Sequence, residues 1–348
     1  MQVSSDIRSL SISNLEKILL KENFEKYRAS QIFDWLNKGN VRSFEEMKNL
    51  PKELIHFLNS RFIINGAVIK LIKKSTDGTV KFLISLFDNN VIEAVLIPTE
   101  KRITACVSSQ VGCSLDCDFC ATAKIKRMRN LDFYEIFDQL MILNFESLKL
   151  FGRSISNIVF MGMGEPLLNY KNVLKSIEMI CSKNGIGISK KKITVSTSGM
   201  SKIIKILADK NVKFNLAVSL HSAIEKTRNE IMPFSKDFPL SGLVDSLNYW
   251  YQKTKSKITI EYLVWEAIND NINHINSLVN FCKRVPSKVN LIQFNDIGNL
   301  KFKNANNRWI KKYIEILEFN NISVTVRRSR GEDTVSYTHL TLPTNTTV

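Results

Sequence analysis

No apolar run in the 348-residue chain approaches the length of a membrane span, and the first residues, MQVSSDIRSL, lack the basic and apolar segments of a secretion signal. We therefore expect a cytoplasmic protein with no membrane partner. Low-complexity linkers are absent, as are repeats beyond a strand–helix rhythm, and 44% hydrophobic content fills one large α/β domain plus a smaller one, so disorder is not the default. Acidic residues are scarce: 33 Asp and Glu face 49 Lys and Arg, a formal charge of +16. Such an excess draws polyanions, because each phosphate neutralised releases counterions, and nucleic acid is the leading partner. The competing explanation is the Lys, Asn and Ile richness of an AT-biased genome. Cysteine is sparse and unevenly placed. Of six, four fall between Cys106 and Cys120 and none follows Cys282. A disulfide framework spreads over a secreted fold, whereas this clustering points to metal.

Residues 11–64 read as helices: Asn14 caps LEKILL, SQIFDWL follows, and SFEEMKNLPKELIHFL has apolar residues at helical spacing. Three β-rich runs come next, AVIKLIKK, VKFLISLF and VIEAVLIP, separated by Asp77-Gly78 and Asn89-Asn90, pairs that favour the positive φ of hairpin turns. From Ile103 the strand candidates ITACVS, NIVFMG, KITVSTS, FNLAVSLH, ITIEYLVW and VNLIQFN alternate with amphipathic segments beginning near Asp132, Asn169, Met200, Leu240, Ile272 and Asn306. Six β-then-α units predict a parallel sheet with right-handed crossovers. The expected fold class is α/β: a partial (β/α)6 barrel over 101–333, an N-terminal helical domain over 1–66 and a small β-rich connector over 67–100. Functional residues belong at the C-terminal ends of the strands. Residues 334–348, TVSYTHLTLPTNTTV, contain no Lys, Arg, Asp or Glu and read as an atypical tail.

The run CSLDCDFC sets Cys113, Cys117 and Cys120 at Cys-x3-Cys-x2-Cys in the loop after the first barrel strand. Three thiolates serve three irons of a four-iron cluster, which normally takes four cysteines, so one iron stays open. An open iron chelates the amino and carboxylate groups of S-adenosylmethionine (SAM), and an injected electron then breaks a carbon–sulfur bond to release a 5′-deoxyadenosyl radical. The alternative is a structural zinc site, or a cluster closed by Cys106. FMGMGEPLLN follows the second barrel strand. Its glycines, Gly164 among them, let the backbone approach a ligand, and Glu165 is able to accept from an ammonium group. It lacks the Gly-Lys-Ser/Thr of a phosphate loop, and a glycine turn leaving a buried strand is the commoner reading. Ser196, Ser219, Leu220, His221 and Asn295 stand at the C-terminal ends of apolar strands. A polar residue there is singly a cap or turn residue, but together they form the rim of one barrel mouth.

These motifs, ACVSSQVGCSLDCDFC, the basic KIKRMRNL, MGMGEPLLN, VSTSG, SLHS, IMPF, VNLIQFN and VTVRRSRGED, together resemble the RlmN/Cfr family of radical SAM RNA adenine methyltransferases, in order from about residue 8 to Asp333. The resemblance implies one 4Fe-4S cluster, SAM, electrons from a flavodoxin or ferredoxin system, and a monomer. It implies methylation of adenine C2 in 23S rRNA and in tRNA beside the anticodon, or of C8 in the Cfr branch. In the family one SAM methylates a cysteine, a second SAM generates the radical on that methyl, and RNA becomes joined to protein. Cys106 then matches the cysteine that resolves the link by forming a disulfide, and Glu93 the carboxylate that removes the ring proton. Read alone, Cys106 is a core cysteine and Glu93 the solvent-facing member of a strand.

The family follows RGED with the methyl-carrying cysteine, and this sequence has none there. A frameshift or chimera near Thr334 is the simplest account and true loss of activity the alternative, so RNA-binding pseudoenzyme and electron-transfer protein remain rival readings. The basic groups assigned to RNA are Lys124, Lys126, Arg127 and Arg129, and separately Lys190, Lys191 and Lys192, against a solvated surface. The helical domain is expected to assist docking, and the sequence shows no base-reading code, as when RNA is read by shape and an extruded base.

Overall fold

The N-terminal unit opens the computed structural model, which describes residues 5–38, 41–182, 185–295, 301–327 and 330. Its helices are α1 (Ile12–Lys21), α2 (Tyr27–Lys38) and α3 (Lys52–Arg61). The cap of α1 is Ser11, not Asn14: the extended Ser11 turns its Oγ back to accept the Asn14 N–H at 3.2 Å, leaving Asn14 inside the first turn. SFEEMKNLPKELIHFL is likewise not one helix. It divides into a 3-10 turn, Phe44–Glu46, and α3, which begins after Pro51, because proline has no N–H and holds its predecessor out of the helical region. Ile7, Leu15, Leu19, Ile32, Leu54 and Leu58 form a core of this unit's own.

Arg8 joins the unit to the rest. Its Nη1 donates to both Asp138 oxygens at 2.7 and 2.8 Å, its Nη2 to Asp6 and the Asn65 carbonyl at 2.9 Å each, and its guanidinium lies 4.5 Å from the Tyr134 ring centre. Satisfied donors are what make a buried charge tolerable.

The central sheet has ten strands: β1 (Val68–Lys74), β2 (Val80–Ser85), β3 (Val91–Pro98), β4 (Ile103–Cys106), β5 (Asn157–Phe160), β6 (Ile193–Thr197), β7 (Asn215–Ser219), β8 (Ile258–Leu263), β9 (Ser287–Ile292) and β10 (Val324–Arg327). Sheet order is chain order. The pairings from β4 to β10 are parallel, with the returns made by α4 (Phe133–Phe151), α5 (Tyr170–Cys181), α6 (Ser201–Asp209), α7 (Glu225–Ile231) with α8 (Leu240–Thr254), α9 (Ile272–Arg284) and α10 (Asn307–Phe319). A seventh parallel strand, β10, thus follows the sixth unit. Segment 67–100 continues the same sheet through the antiparallel β3–β4 pair and shares its core: Ile92, Ala94 and Leu96 pack in one cluster with Phe137 and Leu140 of α4. Gly78 (φ 83°) and Asn89 (φ 63°) supply the hairpin turns.

Among the described residues no helix is long and apolar enough to cross a membrane. The tail at 334–348 lies outside the described residues.

Candidate functional site

Beyond the C-terminal ends of β4 to β7 lies a cavity of about 120 Å³ lined by Cys113, Cys117, Cys120, Gly164, Glu165 and Ser219, with Ser198 and Met232 beside them. The cysteine loop is tied down at both flanks. The Asp118 N–H donates to the Ile231 carbonyl at 3.1 Å, and Asp116 Oδ1 accepts the Phe234 N–H at 2.9 Å. Burial pushes the Cys113 thiol up to about 11 and Cys117 well above the ordinary range. Both therefore hold their protons at neutral pH until a metal displaces them.

Gly164 has φ 94°, and a Cβ there would stand 2.5 Å from Gln110 Cβ, so only glycine fits. Gln110 Oε1 accepts the Glu165 N–H at 2.8 Å while its Nε2 donates to Asn130 at 2.7 Å. The Glu165 carboxylate accepts the Leu167 N–H at 3.0 Å and the Ser198 N–H at 2.8 Å. Burial raises its affinity for a proton and the backbone donors oppose this. The Thr197 and Ser198 hydroxyls also bear on the carboxylate, so a cationic ligand in the cavity would share its oxygens with them.

Leu220 is buried, its N–H donating to the Glu261 carbonyl at 3.1 Å. His221 follows in the left-handed region (φ 55°), its carbonyl accepting from Asn269 at 2.9 Å and its ring edge-on to Phe119 with centres 4.8 Å apart. Burial, aided by the Arg228 charge, pushes the imidazole down to about 3, so the ring is neutral. Because Nδ1 accepts the Leu263 N–H at 3.2 Å, the proton is assigned to Nε2. Ser196 on β6 and Asn295 beyond β9 are half-buried and stand apart from the cysteine cavity's lining.

Cys106 and Glu93 occupy another place. Val95 faces Cys106 across β3–β4 and Lys81 across β2–β3, and Glu93 is two residues from Val95, so all four share one face of the sheet. This is the face opposite α4, and Glu93 is therefore not solvent-facing. Its carboxylate pairs with the Lys81 ammonium, the two side chains 13% and 9% exposed. Cys106 is buried with Val95, Ile97, Val159 and Met161, and burial pushes its thiol up to about 11, with Arg327 opposing and Glu93 adding. It does not line the cavity of the other three cysteines.

Arg129, assigned from sequence to the RNA-facing group, is instead committed internally: it pairs with Asp88 at 2.6 Å and with the buried Glu135 at 2.7 Å. Lys124, Lys126, Arg127 and Lys190, Lys191 and Lys192 are exposed. Gln110, Ser198, Lys81 and Arg228 complete the site without a strong sequence signal. Ser198 was at least inside the quoted VSTSG, whereas an arginine in the polar EKTRNE reads as solvated surface.

The residues fit a four-iron cluster. Thiolates are the ligands such clusters take, and the site also contains a cation in want of an anion. Arg228 is fully buried, Nη2 donates to the Ser198 carbonyl at 2.7 Å, and Nε and Nη1 have no hydrogen-bond partner among the described residues.

A parallel partial barrel with three cysteines on the loop after its first strand, and a glycine-framed carboxylate after the next, defines a radical SAM enzyme. Residues 107–238 match the Radical SAM superfamily, and residues 5–64 the ribosomal RNA large subunit methyltransferase N-terminal domain. The chain is 54% identical over 334 residues to a protein of Flavobacterium psychrophilum named a probable dual-specificity RNA methyltransferase RlmN, covering 96% of each, and 38% identical over 336 residues to its namesake in Salinibacter ruber, covering 94% of this chain and 91% of that one. The crystal structure of a radical SAM methyltransferase from Sphaerobacter thermophilus superposes with a TM-score of 0.88 at 32% identity, over 94% of this chain and 96% of that one. The chain belongs to the RlmN family of radical SAM RNA methyltransferases, whose cofactors are a 4Fe-4S cluster and SAM.

Proposed function

We propose that the site is built to methylate C2 of adenine in 23S rRNA and in tRNA through a methyl-cysteine, in the cytoplasm, with electrons from a flavodoxin or ferredoxin, although the methyl-carrying cysteine is missing from this chain. The observation that carries the reading is the placement of a carboxylate and a thiol, Glu93 and Cys106, on neighbouring strands of the face turned away from the helices. Cys113, Cys117 and Cys120 would hold the cluster, which would supply there the electron that cleaves SAM. Glu165 accepts from the SAM ammonium group, Gly164 lets the backbone approach, and Ser196, Ser219, Leu220, neutral His221 and Asn295 hold the rest of the molecule. Adenine C2 is electron-poor and its hydrogen is not acidic, so the ring is reached by a carbon radical rather than by a nucleophile.

Glu93, opposed by Lys81, takes the ring proton once the methyl carbon is attached. The Cys106 sulfur then bonds to the carrier sulfur. The adduct's unpaired electron would pass back to the cluster, the carbon–sulfur bond breaks as the Cys106 thiolate attacks, the released electron pair takes up a proton on the carbon that becomes the methyl group, and the free enzyme is left with a disulfide. The RNA is drawn in by the net charge of +16, and binding should weaken steeply across a salt series.

The carrier thiol has no counterpart after Cys282, and Cys106 cannot both carry and resolve. The hydroxyls of 334–348 are far poorer nucleophiles than a thiolate. We therefore expect the chain as written to bind and slowly cleave SAM without methylating RNA. Mass spectrometry of digested RNA compares it with a version in which a family-like cysteine tail replaces 334–348, and 2-methyladenosine only in the second is the expected result. Repeated turnover by the first would refute the two-cysteine mechanism, 8-methyladenosine would assign the C8 branch, and silence from both would count against Glu93 or the substrate.

A further inference from the structure

Arg228 has so far served only as a sign that the cavity suits an anionic group. Its position says more. It lies on α7, whose last residue, Ile231, accepts from the Asp118 N–H of the cysteine loop, and the next residue, Met232, lines the cavity. Its one side-chain hydrogen bond among the described residues, Nη2 to the Ser198 carbonyl, uses the residue whose N–H donates to Glu165. An arginine in a protein keeps its charge, so Arg228 is a fixed cation whose Nε and Nη1 have no hydrogen-bond partner among the described residues. The groups bearing on it are the Glu225 carboxylate, which already accepts from the Leu240 N–H at 3.0 Å, and the Cys117 sulfur, which becomes anionic only when it binds metal.

We propose that Arg228 is a positioning residue for the iron–sulfur group, its Nε and Nη1 turned to the sulfur of Cys117, and that its fixed charge keeps the group reducible. Three thiolates leave a four-iron cluster net negative, and each added electron deepens that charge. Net charge, hydrogen bonds to sulfur and exposure set the potential of such a cluster, and a buried cation favours the reduced form. The step is one-electron transfer from an external low-potential reductant. No bond forms or breaks, and Arg228 keeps its protons. The inference rests on Cys113, Cys117 and Cys120 holding the cluster, which iron content tests separately.

The test is an EPR-monitored reductive titration with titanium(III) citrate, without SAM, on iron-loaded wild type, Arg228→Met and Arg228→Lys. Arg228→Met should be at least tenfold less reduced at a given poise, about 59 mV lower for a one-electron couple, and Arg228→Lys should recover most of the difference. SAM affinity, measured by equilibrium binding, should change little. An unmoved potential would overturn the proposal, and so would a loss of SAM affinity with the potential unmoved, which would assign the guanidinium to the SAM carboxylate. Should Arg228→Met fail to fold or load, the unmutated protein decides. Labelled with ¹⁵N-arginine and reduced, it should show a weak nitrogen coupling to the cluster by electron–nuclear double resonance, and its absence would overturn the proposal.

Discussion

Four of the molecule's six cysteines fall in two contrasting settings. Cys113, Cys117 and Cys120 sit on a loop beyond the strand ends, around a cavity shared with Glu165 and backed by Arg228. Cys106 sits within a strand, enclosed by Val95, Ile97, Val159 and Met161, with Glu93 nearby. Burial disfavours the thiolate of Cys113 and Cys117 in the first and of Cys106 in the second. In the first setting a cation waits nearby and three sulfurs share one space, so metal has both ligands and a counter-charge to meet. In the second a carboxylate adds to the cost of ionisation and Arg327 only partly offsets it. Metal binding is therefore expected of the shared cavity and not of the lone cysteine at the end of β4.

The largest test of this contrast removes the thiols one at a time. Alanine at Cys113, Cys117 or Cys120 should abolish the cluster, read as iron per chain and absorbance after anaerobic reconstitution, whereas Cys106→Ala should leave it intact. Iron lost from Cys106→Ala would erase the distinction. A smaller effect is expected at Glu165. Glu165→Gln keeps the shape but removes the charge, and a hydrogen bond to a charged group contributes about 1.5–3 kcal/mol, so SAM affinity measured by equilibrium binding should fall on the order of tenfold to a hundredfold. An unchanged affinity would detach Glu165 from the ligand. Gly164→Ala forces a positive φ and a clash with Gln110, so it should lower unfolding stability by about 1–3 kcal/mol in urea titration. The same change at Gly242, where nothing stands within 4 Å, should not.

Much of this was legible from sequence because local signals and global fold agree. Strand and helix alternate at periods that only a βα sheet satisfies, the capping box at Asp132 and Glu135 starts α4 where the pattern begins, and the cysteine spacing is specific. What stayed hidden has physical reasons. Whether Glu93 faces water or the interior is a matter of register, since Ile92 and Ala94 beside it are apolar and the pattern does not alternate cleanly until β2 and β4 are paired with β3. The seven-residue α7 is too short for a periodic signature, so the burial of Arg228 shows only in three dimensions. Arg129 has a basic neighbourhood in sequence and an acidic one in space. The split at Pro51 was readable from proline chemistry, and the apolar spacing masked it.

The smallest effect expected separates the two settings by pH. His221, on the cavity side, has its ring pushed down from 6.5 to about 3, so between these values the unfolded chain binds a proton that the native state refuses. Its contribution to stability is complete above pH 6.5 and is lost as pH falls towards 3. Cys106 has the opposite sign. Its thiol is raised from 9.0 to about 11, so its contribution is complete below pH 9 and is lost as pH rises to about 11. Urea unfolding at pH 8, pH 5 and pH 10 should therefore show wild type losing stability in both directions, but for different residues. His221→Asn, which keeps an oxygen to accept the Leu263 N–H, should reduce the loss between pH 8 and 5 and leave the alkaline loss unchanged. Cys106→Ser should reduce the alkaline loss alone. Because each variant is compared with wild type at the same two pH values, other titrating groups, the remaining cysteines included, cancel to the extent that they are uncoupled from the changed residue. If His221→Asn flattened neither limb, the imidazole would not be the buried neutral donor that the site requires.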